Sequence, residues 1–134
     1  MDISVVIPCY NSEKYISKTI DSVLSQTVAP IEILIVDDNS KDNTLNVLKE
    51  KGKKYKNVIK IIELKENKGA SFARNYGVKS ALGEYILFMD SDDIAEPKLA
   101  EKYINRLNEL NTDTDDKYIL CYSAYIQIDQ NDNV

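Results

Sequence analysis

Carboxylate side chains gather at two points of the sequence, each directly after an apolar run. Asp37 and Asp38 follow the run Ile33–Val36, and Asp90-Ser-Asp-Asp93 follows the run Tyr85–Met89. The chain contains no histidine, so acid–base or metal chemistry must depend on carboxylates. Mg²⁺ and Mn²⁺ prefer oxygen ligands and take few protein carboxylates, which leaves positions for water and phosphate. The run Tyr85–Met89 is too apolar for a surface, so we expect a buried strand whose crowded carboxylates need a cation.

Other polar and aromatic residues follow the remaining apolar runs. Cys9-Tyr-Asn11 comes after the first run, and Lys68 and Gly69 lie in the loop after the third, with Arg74 one turn into the next helix. A ring, several carboxylates and two cations at one rim would suit a nucleotide diphosphate bound through a metal. Each piece alone has an ordinary structural interpretation. Asp37-Asp38 is typical of a helix-entry turn, and Tyr10 could pack on the edge of the sheet. Lys68 and Arg74 could be ordinary solvated surface charges.

The elements that must position these residues follow from the hydrophobic pattern. Apolar runs predict five strands, over Ile3–Pro8, Glu32–Val36, Val58–Leu64, Glu84–Met89 and Tyr118–Ile128. Helical spacing predicts four helices between them: one capped by Asn11 or Ser12, one capped by Ser40 or Asp42 and ending near Gly52, one over Ala70–Ala81, and one with Pro97 at its first position. This alternation predicts an α/β fold, an open and mostly parallel sheet with helices on both faces, Rossmann-like. Ligands of such sheets bind beyond the carboxyl ends of the strands.

Composition bounds the class of protein. The 134 residues suit one domain spanning 1–134, and the net charge of −5 argues against a nucleic-acid partner. The apolar runs are shorter than the roughly 18 residues that a transmembrane segment needs. Cys9 and Cys121 are expected to be buried free thiols, which favours a reducing, cytoplasmic setting. No Gly-x4-Gly-Lys-Ser/Thr loop and no Gly-x-Gly-x-x-Gly after the first strand occur, so those two phosphate-binding devices are disfavoured.

Four ordered motifs together resemble a known family. They are Val5-Val-Ile-Pro-Cys-Tyr-Asn11, Ile35-Val-Asp-Asp-Asn-Ser-Lys-Asp-Asn-Thr44, Asn67-Lys-Gly69 with Ala73-Arg-Asn75 and Gly77, and Gly83-Glu-Tyr-Ile-Leu-Phe-Met-Asp-Ser-Asp-Asp93. In this order the motifs resemble family 2 glycosyltransferases with the GT-A fold, the fold of nucleotide-diphospho-sugar transferases. The resemblance covers roughly residues 3 to 110.

The resemblance implies an inverting transfer of a sugar from a nucleotide diphosphate donor, with UDP the favoured nucleotide and Mn²⁺ or Mg²⁺ as cofactor. It assigns the donor site to Pro8, Cys9, Tyr10, Asn11, Asp38, Lys68, Gly69, Arg74 and Asp90, and the metal to Asp92 with Asp90. Tyr10 would stack near the base and Asp38 would accept a hydrogen bond from it. Lys68 and Arg74 would lie near the base or the diphosphate. Asp90 would contact the ribose or, indirectly, the metal.

The sequence departs from the family at its carboxyl end. An inverting transferase needs a carboxylate base for the acceptor hydroxyl, and in this family that base lies well after the Asp-x-Asp motif. The residues after Ile128 form a short polar tail. We therefore expect a truncated chain without a catalytic base, which binds donor but transfers sugar poorly. The acceptor, a glycan or glycolipid, would be recognised elsewhere, with peripheral membrane association in a longer protein.

Three functions of different classes compete with this interpretation. Ile33-Leu-Ile-Val-Asp-Asp-Asn39 and Tyr85–Asp90 resemble strands of a response-regulator receiver, which would be phosphorylated on Asp90. A complete strand–helix unit precedes the first of these strands, no Met-Pro follows Asp90, and Lys117 is poorly placed for a switch lysine. A non-catalytic nucleotide-binding or sugar-binding domain is the second competing function, and a nucleotidyltransferase is the third.

Overall fold

The structure, a computed structural model, describes residues 1–110 and 126–129. Strands and helices alternate in the order β1 (Ile3–Cys9), α1 (Ile16–Leu24), β2 (Glu32–Asp37), α2 (Thr44–Lys54), β3 (Ile59–Glu63), α3 (Ala70–Ser80), β4 (Tyr85–Phe88) and α4 (Leu99–Leu110). The predicted α/β alternation is confirmed, with ends shifted by a few residues. Most of the fifth strand predicted over Tyr118–Ile128 lies outside the described residues, and its last three residues, 126–128, are in no helix or strand.

The four described strands form one parallel sheet in the order β3-β2-β1-β4. The two central strands, β1 and β2, are buried along their whole length. The register pairs Ile35 with Ile61 and Val36 with Ile62, so Ile61 and Val36 point to opposite faces. Gly52 of α2 approaches Ile61, whereas Gly77 of α3 approaches Val36. Helices therefore cover both faces, as the pattern predicted.

Two compact units make up the chain, Met1–Glu101 and Lys102–Val134. The sheet and the candidate site described below lie in the first. A single domain over 1–134 stays a prediction. Cys9 is a buried free thiol, and Cys121 lies outside the described residues. Within residues 1–110 and 126–129, no helix has the length and apolar character of a membrane span.

The predicted caps of α1 are wrong, and so is Ser40 as a cap of α2. α1 begins at Ile16 after a turn in which the carbonyl of Ser12 accepts from two later amides, and its N-terminal residue makes no side-chain cap bond. Asn11 instead adopts a left-handed conformation (φ 51°). α2 begins at Thr44 and runs past Gly52 to Lys54, again without a side-chain cap bond at its N-terminal residue. Asn11 and Ser12 bond to distant loops, and Ser40 donates to Asp37. Asp42 does accept from the amide of Thr44, the first residue of α2, at 3.0 Å.

Close contact between α3 and the sheet depends on a missing side chain. A Cβ added to Gly77 would lie 2.5 Å from Cγ1 of Val6 on β1. Val6 is fully buried, so it has no room to move away. Glycine therefore sets how closely α3 lies over β1 and β2, and with it the position of every residue that α3 brings to the site.

A buried carboxylate joins the strands at the end of the sheet opposite the candidate site. Glu32 on β2 accepts hydrogen bonds from Ser4 Oγ (2.7 Å), from Lys60 Nζ (2.6 Å) and from the backbone amide of Leu82 (2.6 Å). Burial acts to raise the pKa of Glu32, but these hydrogen bonds outweigh it and lower the pKa below its ordinary value. One ionised side chain thus connects three strands with the turn before β4.

Candidate active site

The strand order places a crevice between the carboxyl ends of β1 and β4. The chain proceeds from β1 to β2 and β3 on one side and returns to β4 on the other, so the loops after β1 and β4 diverge. A pocket of about 240 Å³ lies at this point. Its lining comes from four separate parts of the chain: Pro8, Cys9, Tyr10, Asp38, Ala70, Ala73, Arg74, Asp90, Ser91 and Asp92.

The loop after β1 presents Tyr10 to solvent. The left-handed Asn11 is held by the loop after β2, because its side-chain oxygen accepts from the amide of Lys41 (2.8 Å) and its own amide donates to Ser40 Oγ (3.0 Å). The ring of Tyr10 is 47% exposed at the mouth of the pocket. A fixed backbone with an exposed ring is suited to stacking on a planar ligand.

Cys9 lies on the pocket wall but is not a nucleophile. Its thiol is buried and donates to Oδ1 of Asp37 at 3.6 Å. Burial, and then the adjacent charge of Asp37, raise the pKa of the Cys9 thiol far above its ordinary value. The thiol therefore stays protonated at neutral pH, and reactive cysteine chemistry is excluded at this residue.

Asp38 fixes the loop that begins α3. Its two carboxylate oxygens accept from the backbone amides of Lys68 (2.8 Å) and Gly69 (2.7 Å), and its own amide donates to the carbonyl of Cys9 (2.8 Å). Gly69 has a φ of 87°, a conformation that favours glycine, and α3 begins at the next residue. The carboxylate is only 3% exposed, yet it borders the pocket. A ligand that bonds to Asp38 must share its oxygens with these amides.

The Asp-x-Asp turn after β4 carries concentrated negative charge beside one cation. Asp90 pairs with Arg74 of α3, with Nη2 and Oδ1 2.5 Å apart. Asp92 is exposed at the pocket. Burial, and then the charges of Asp90 and Asp92, raise the pKa of Asp93 above its ordinary value. Two carboxylates at an open pocket match the small number of protein ligands that Mg²⁺ or Mn²⁺ takes, so the donor set fits such a cation.

The expectation that this turn follows a buried strand is wrong. β4 lies at an edge of the described sheet and is half-buried, and Phe88 is 47% exposed. The side chain of Asp90 is 53% exposed. Solvent and Arg74 therefore offset much of the charge, and the argument from burial alone does not require a cation here.

Seven of the ten site residues named from the sequence line the pocket, and three do not. Asn11 and Gly69 shape the backbone of adjoining loops. Lys68 pairs with Glu66 (2.8 Å) and lies 4.9 Å from the ring centre of Phe72, away from the pocket. Three small residues that were not named as site residues from the sequence complete the wall: Ala70, Ala73 and Ser91. The Ala-x-x-Ala spacing on one face of α3 is the signal that could have found the first two.

A second, more open depression of about 550 Å³ lies between α2 and the edge strand β3. It is lined by three lysines, a glycine and two isoleucines: Lys49, Gly52, Lys53, Lys56, Ile59 and Ile61. It is remote from the carboxyl ends of β1 and β4, where the polar motifs converge. The smaller pocket is therefore the candidate active site.

Comparisons with known proteins identify the family. The family described as Glycosyl transferase family 2 matches residues 4–123. The chain is 43% identical over 115 residues to a poly(ribitol-phosphate) beta-glucosyltransferase of Bacillus spizizenii, which covers 84% of the chain and 18% of that protein. It is 40% identical over 128 residues to a glycosyltransferase of Rickettsia typhi, which covers 96% of the chain and 37% of that protein. The chain thus spans well under half the length of these relatives.

Solved structures match the fold as well. A Staphylococcus aureus TarS structure, residues 1–349 in complex with UDP, superposes with a TM-score of 0.71 at 37% identity, covering 81% of the chain and 32% of that 1–349 fragment. TarS has also been solved in complex with UDP-GlcNAc. The mannosyltransferase PcManGT from Pyrobaculum calidifontis, in complex with GDP-Man and Mn²⁺, matches with a TM-score of 0.62 at 25% identity, covering 69% of the chain and 28% of PcManGT. These matches overturn the receiver-domain interpretation.

Proposed function

Because the chain belongs to glycosyl transferase family 2, we propose that it carries the donor site of an enzyme that transfers a sugar from a nucleotide diphosphate to an acceptor hydroxyl. The transfer is metal-assisted and inverts the anomeric carbon. The observation that carries this proposal is the pocket at the β1–β4 crevice, where a tyrosine ring, a buried carboxylate, an arginine and the Asp-x-Asp turn line one cavity. UDP is the favoured nucleotide, and the TarS complexes with UDP and UDP-GlcNAc support it.

The nucleoside binds at the β1 end of the pocket. Tyr10 stacks on the base, since its ring is exposed on a loop that Asn11 fixes. Asp38 accepts a hydrogen bond from the base, using lone pairs that the amides of Lys68 and Gly69 leave available. Arg74 lines the pocket from α3, where it pairs with Asp90, and it is the cation that binds the diphosphate. Lys68 supports the base-binding end of the pocket only through its backbone amide, which donates to Asp38.

Asp90 and Asp92 hold the divalent cation, Mn²⁺ or Mg²⁺, and Asp90 also contacts the ribose. The PcManGT complex with GDP-Man and Mn²⁺ supports metal use in this fold. When bound, the cation supplies positive charge that holds the diphosphate and stabilises it as a leaving group. Arg74 adds to that charge when it exchanges Asp90 for a phosphate oxygen.

The acceptor is a cell-surface glycan or a glycolipid, by analogy with relatives such as the poly(ribitol-phosphate) glucosyltransferase. The transfer takes place in the cytoplasm, with peripheral association to the membrane. The described residues that line the pocket bind and orient the donor. Acceptor binding belongs to other parts of the protein.

Calorimetric titration of UDP, with and without Mn²⁺, tests the donor site. The parent chain should bind UDP in a metal-dependent way, and Asp92→Ala should lose that dependence. Glu50→Ala removes an exposed carboxylate on α2 and is the matched control, which should bind as the parent does. Failure of UDP, GDP and dTDP to bind the parent under every metal condition would refute the proposal.

A further inference from the structure

A row of polar side chains on and beside α1 is buried, although an amphipathic helix ordinarily buries apolar ones. Thr19 and Ser22 lie in α1 at helical spacing, Gln26 follows the end of the helix, and Ser12 precedes its start. All four are less than 10% exposed. A buried hydroxyl or amide costs free energy unless it is hydrogen-bonded, so their partners indicate their purpose.

The two members nearest the pocket both bond to Ser91, the middle residue of the Asp-x-Asp turn. Thr19 Oγ1 donates to the carbonyl of Ser91 at 2.9 Å, with a longer contact of 3.5 Å to the carbonyl of Tyr15. Ser12 Oγ and Ser91 Oγ are 2.7 Å apart and form a hydrogen bond. The residue between Asp90 and Asp92 is therefore held at both its backbone and its side chain.

The other two members bond to the segment that follows the turn. Ser22 Oγ accepts from the amide of Ala95 (3.0 Å). The amide group of Gln26 donates to the carbonyl of Glu96 (2.7 Å) and accepts from the amide of Ala100 (3.0 Å). The chain between β4 and α4 has no helix or strand of its own, so these bonds replace the backbone partners that regular structure would supply.

We propose that Thr19 and Ser12 are positioning residues for the Asp-x-Asp turn: they fix Ser91, and through it the directions of the Asp90 and Asp92 carboxylates toward the cation and the nucleotide. This inference rests on the proposed function of the pocket. Ligand groups must be held to within about 0.5 Å by their supporting residues for a site to work. Within the turn, one backbone bond runs from the amide of Asp93 to the carbonyl of Asp90 (3.2 Å). Arg74 holds the Asp90 side chain from α3, and Thr19 and Ser12 hold Ser91 from the opposite side.

Thr19→Val tests the inference, since valine has nearly the same shape and lacks the hydroxyl. Its affinity for UDP in the presence of Mn²⁺ should fall about tenfold, as when other supporting residues of metal ligands are removed. Thr19→Ser keeps the hydroxyl and should bind nearly as the parent does. Ser22→Ala is the matched control, because it removes a buried hydrogen bond of the same row at Ala95, beyond the turn. Its UDP affinity should stay within twofold or so of the parent's.

Amide hydrogen exchange at Asp93, measured by NMR without ligand, supplies a second readout that does not depend on nucleotide binding. Exchange should be faster in Thr19→Val and unchanged in Ser22→Ala. Equal affinity and equal exchange in Thr19→Val and the parent would overturn the inference and leave the proposed function standing. Equal losses of UDP affinity in Thr19→Val and Ser22→Ala would also overturn the inference, because α1 would then contribute only to the general stability of the fold.

Two further outcomes, a parent that binds no nucleotide and a Thr19→Val variant that does not fold, can also be interpreted. If the parent binds no nucleotide, the proposed function fails, and unchanged exchange at Asp93 in Thr19→Val then overturns the inference as well. If Thr19→Val does not fold, Ser12→Ala replaces it, since it removes the bond to Ser91 Oγ together with a longer bond, of 3.3 Å, to the carbonyl of Tyr10. Parent-like affinity and exchange in Ser12→Ala would count against the inference, and a loss confined to the metal-dependent part of UDP binding would support it.

Discussion

Asp37 and Asp38 are adjacent and chemically identical, yet the structure gives them different tasks. Asp37 points into the turn after β2, where it accepts from Ser40 and from the Cys9 thiol. Asp38 points to the pocket and binds the amides that begin α3. From the sequence, Asp37 and Asp38 could form either a helix-entry turn or a ligand site. Asp37 forms part of the turn, whereas Asp38 lines the pocket. Spacing cannot separate these roles, because partners about 30 residues away decide them.

Asp38→Asn should destabilise the folded state by about 1–3 kcal/mol, the cost of leaving a buried donor unsatisfied. The amide oxygen of asparagine can accept from one backbone amide, but its NH₂ group then faces the other. The free energy of unfolding in urea measures the effect. Asp92→Asn is the control, since that side chain is exposed, and its unfolding free energy should change by less than about 0.5 kcal/mol. Equal stability of the two variants would contradict the assigned role of Asp38.

At the level of elements, hydrophobic periodicity was sufficient to place every described strand and helix, because burial of β1, β2 and the faces of the helices dominates their free energy. The helix starts could not be predicted in the same way. Asn11 has the right chemistry for a cap, but the amide of Lys41 binds its side chain. Ser12 is likewise bound to Ser91. Local rules for caps fail where a distant segment competes for the same side chain.

Glu32→Gln should show how much the carboxylate charge at the end of the sheet opposite the pocket contributes to the free energy of unfolding. The folded-state pKa of Glu32 lies below its unfolded value of 4.5, so its stabilising effect is present above that pH and is lost as the pH falls through the folded pKa. At pH 7 the variant should be less stable by about 1–3 kcal/mol, the value of a hydrogen bond to a charged group. The difference should narrow below about pH 4.5 in urea unfolding.

Glu63→Gln is the control for that series. It removes the exposed ion pair with Lys49, in which both side chains are about half exposed. Such pairs contribute between zero and about 1 kcal/mol, so little change is expected at any pH. A parent-to-Glu32→Gln difference that stayed constant between pH 7 and pH 3 would show that packing, and not the carboxylate charge, stabilises this end of the sheet.

Gly77→Ala should test the close approach of α3 to β1. Alanine is the better helix former by about 1 kcal/mol, which favours the variant. Its Cβ would lie 2.5 Å from the buried Val6, and overpacking of this kind costs about 1–3 kcal/mol. We expect net destabilisation on urea unfolding. Double replacement with Val6→Ala should recover part of the loss, and no recovery would place the strain elsewhere.

At the scale of the whole molecule, the order of the strands brings together residues that are far apart in the sequence. The pocket combines residues from positions 8–10, 38, 70–74 and 90–92, and only the order β3-β2-β1-β4 brings them together. This convergence was predictable, because the carboxyl ends of parallel strands meet at one edge. The exposure of β4 was not predictable from its apolar composition, since burial of an edge strand depends on what else covers it. The contact of Arg74 with Asp90 likewise required the position of α3.

Turnover by the chain as a whole depends on a carboxylate that is free to take the proton of the acceptor hydroxyl. Among the described residues lining the pocket, Asp38 is bonded to two amides, Asp90 to Arg74, and Asp92 is assigned to the cation. We therefore expect the described lining to bind UDP with Mn²⁺ without supplying a base. Unless a residue outside this lining supplies one, the chain should release UDP from a UDP-sugar little faster than the Asp92→Ala variant. Coupled detection of free UDP, with and without candidate glycan acceptors, measures this. Robust transfer by the parent, lost in Asp92→Ala, would mean that a base within the 134 residues completes the site, and a non-catalytic binding domain would then be excluded.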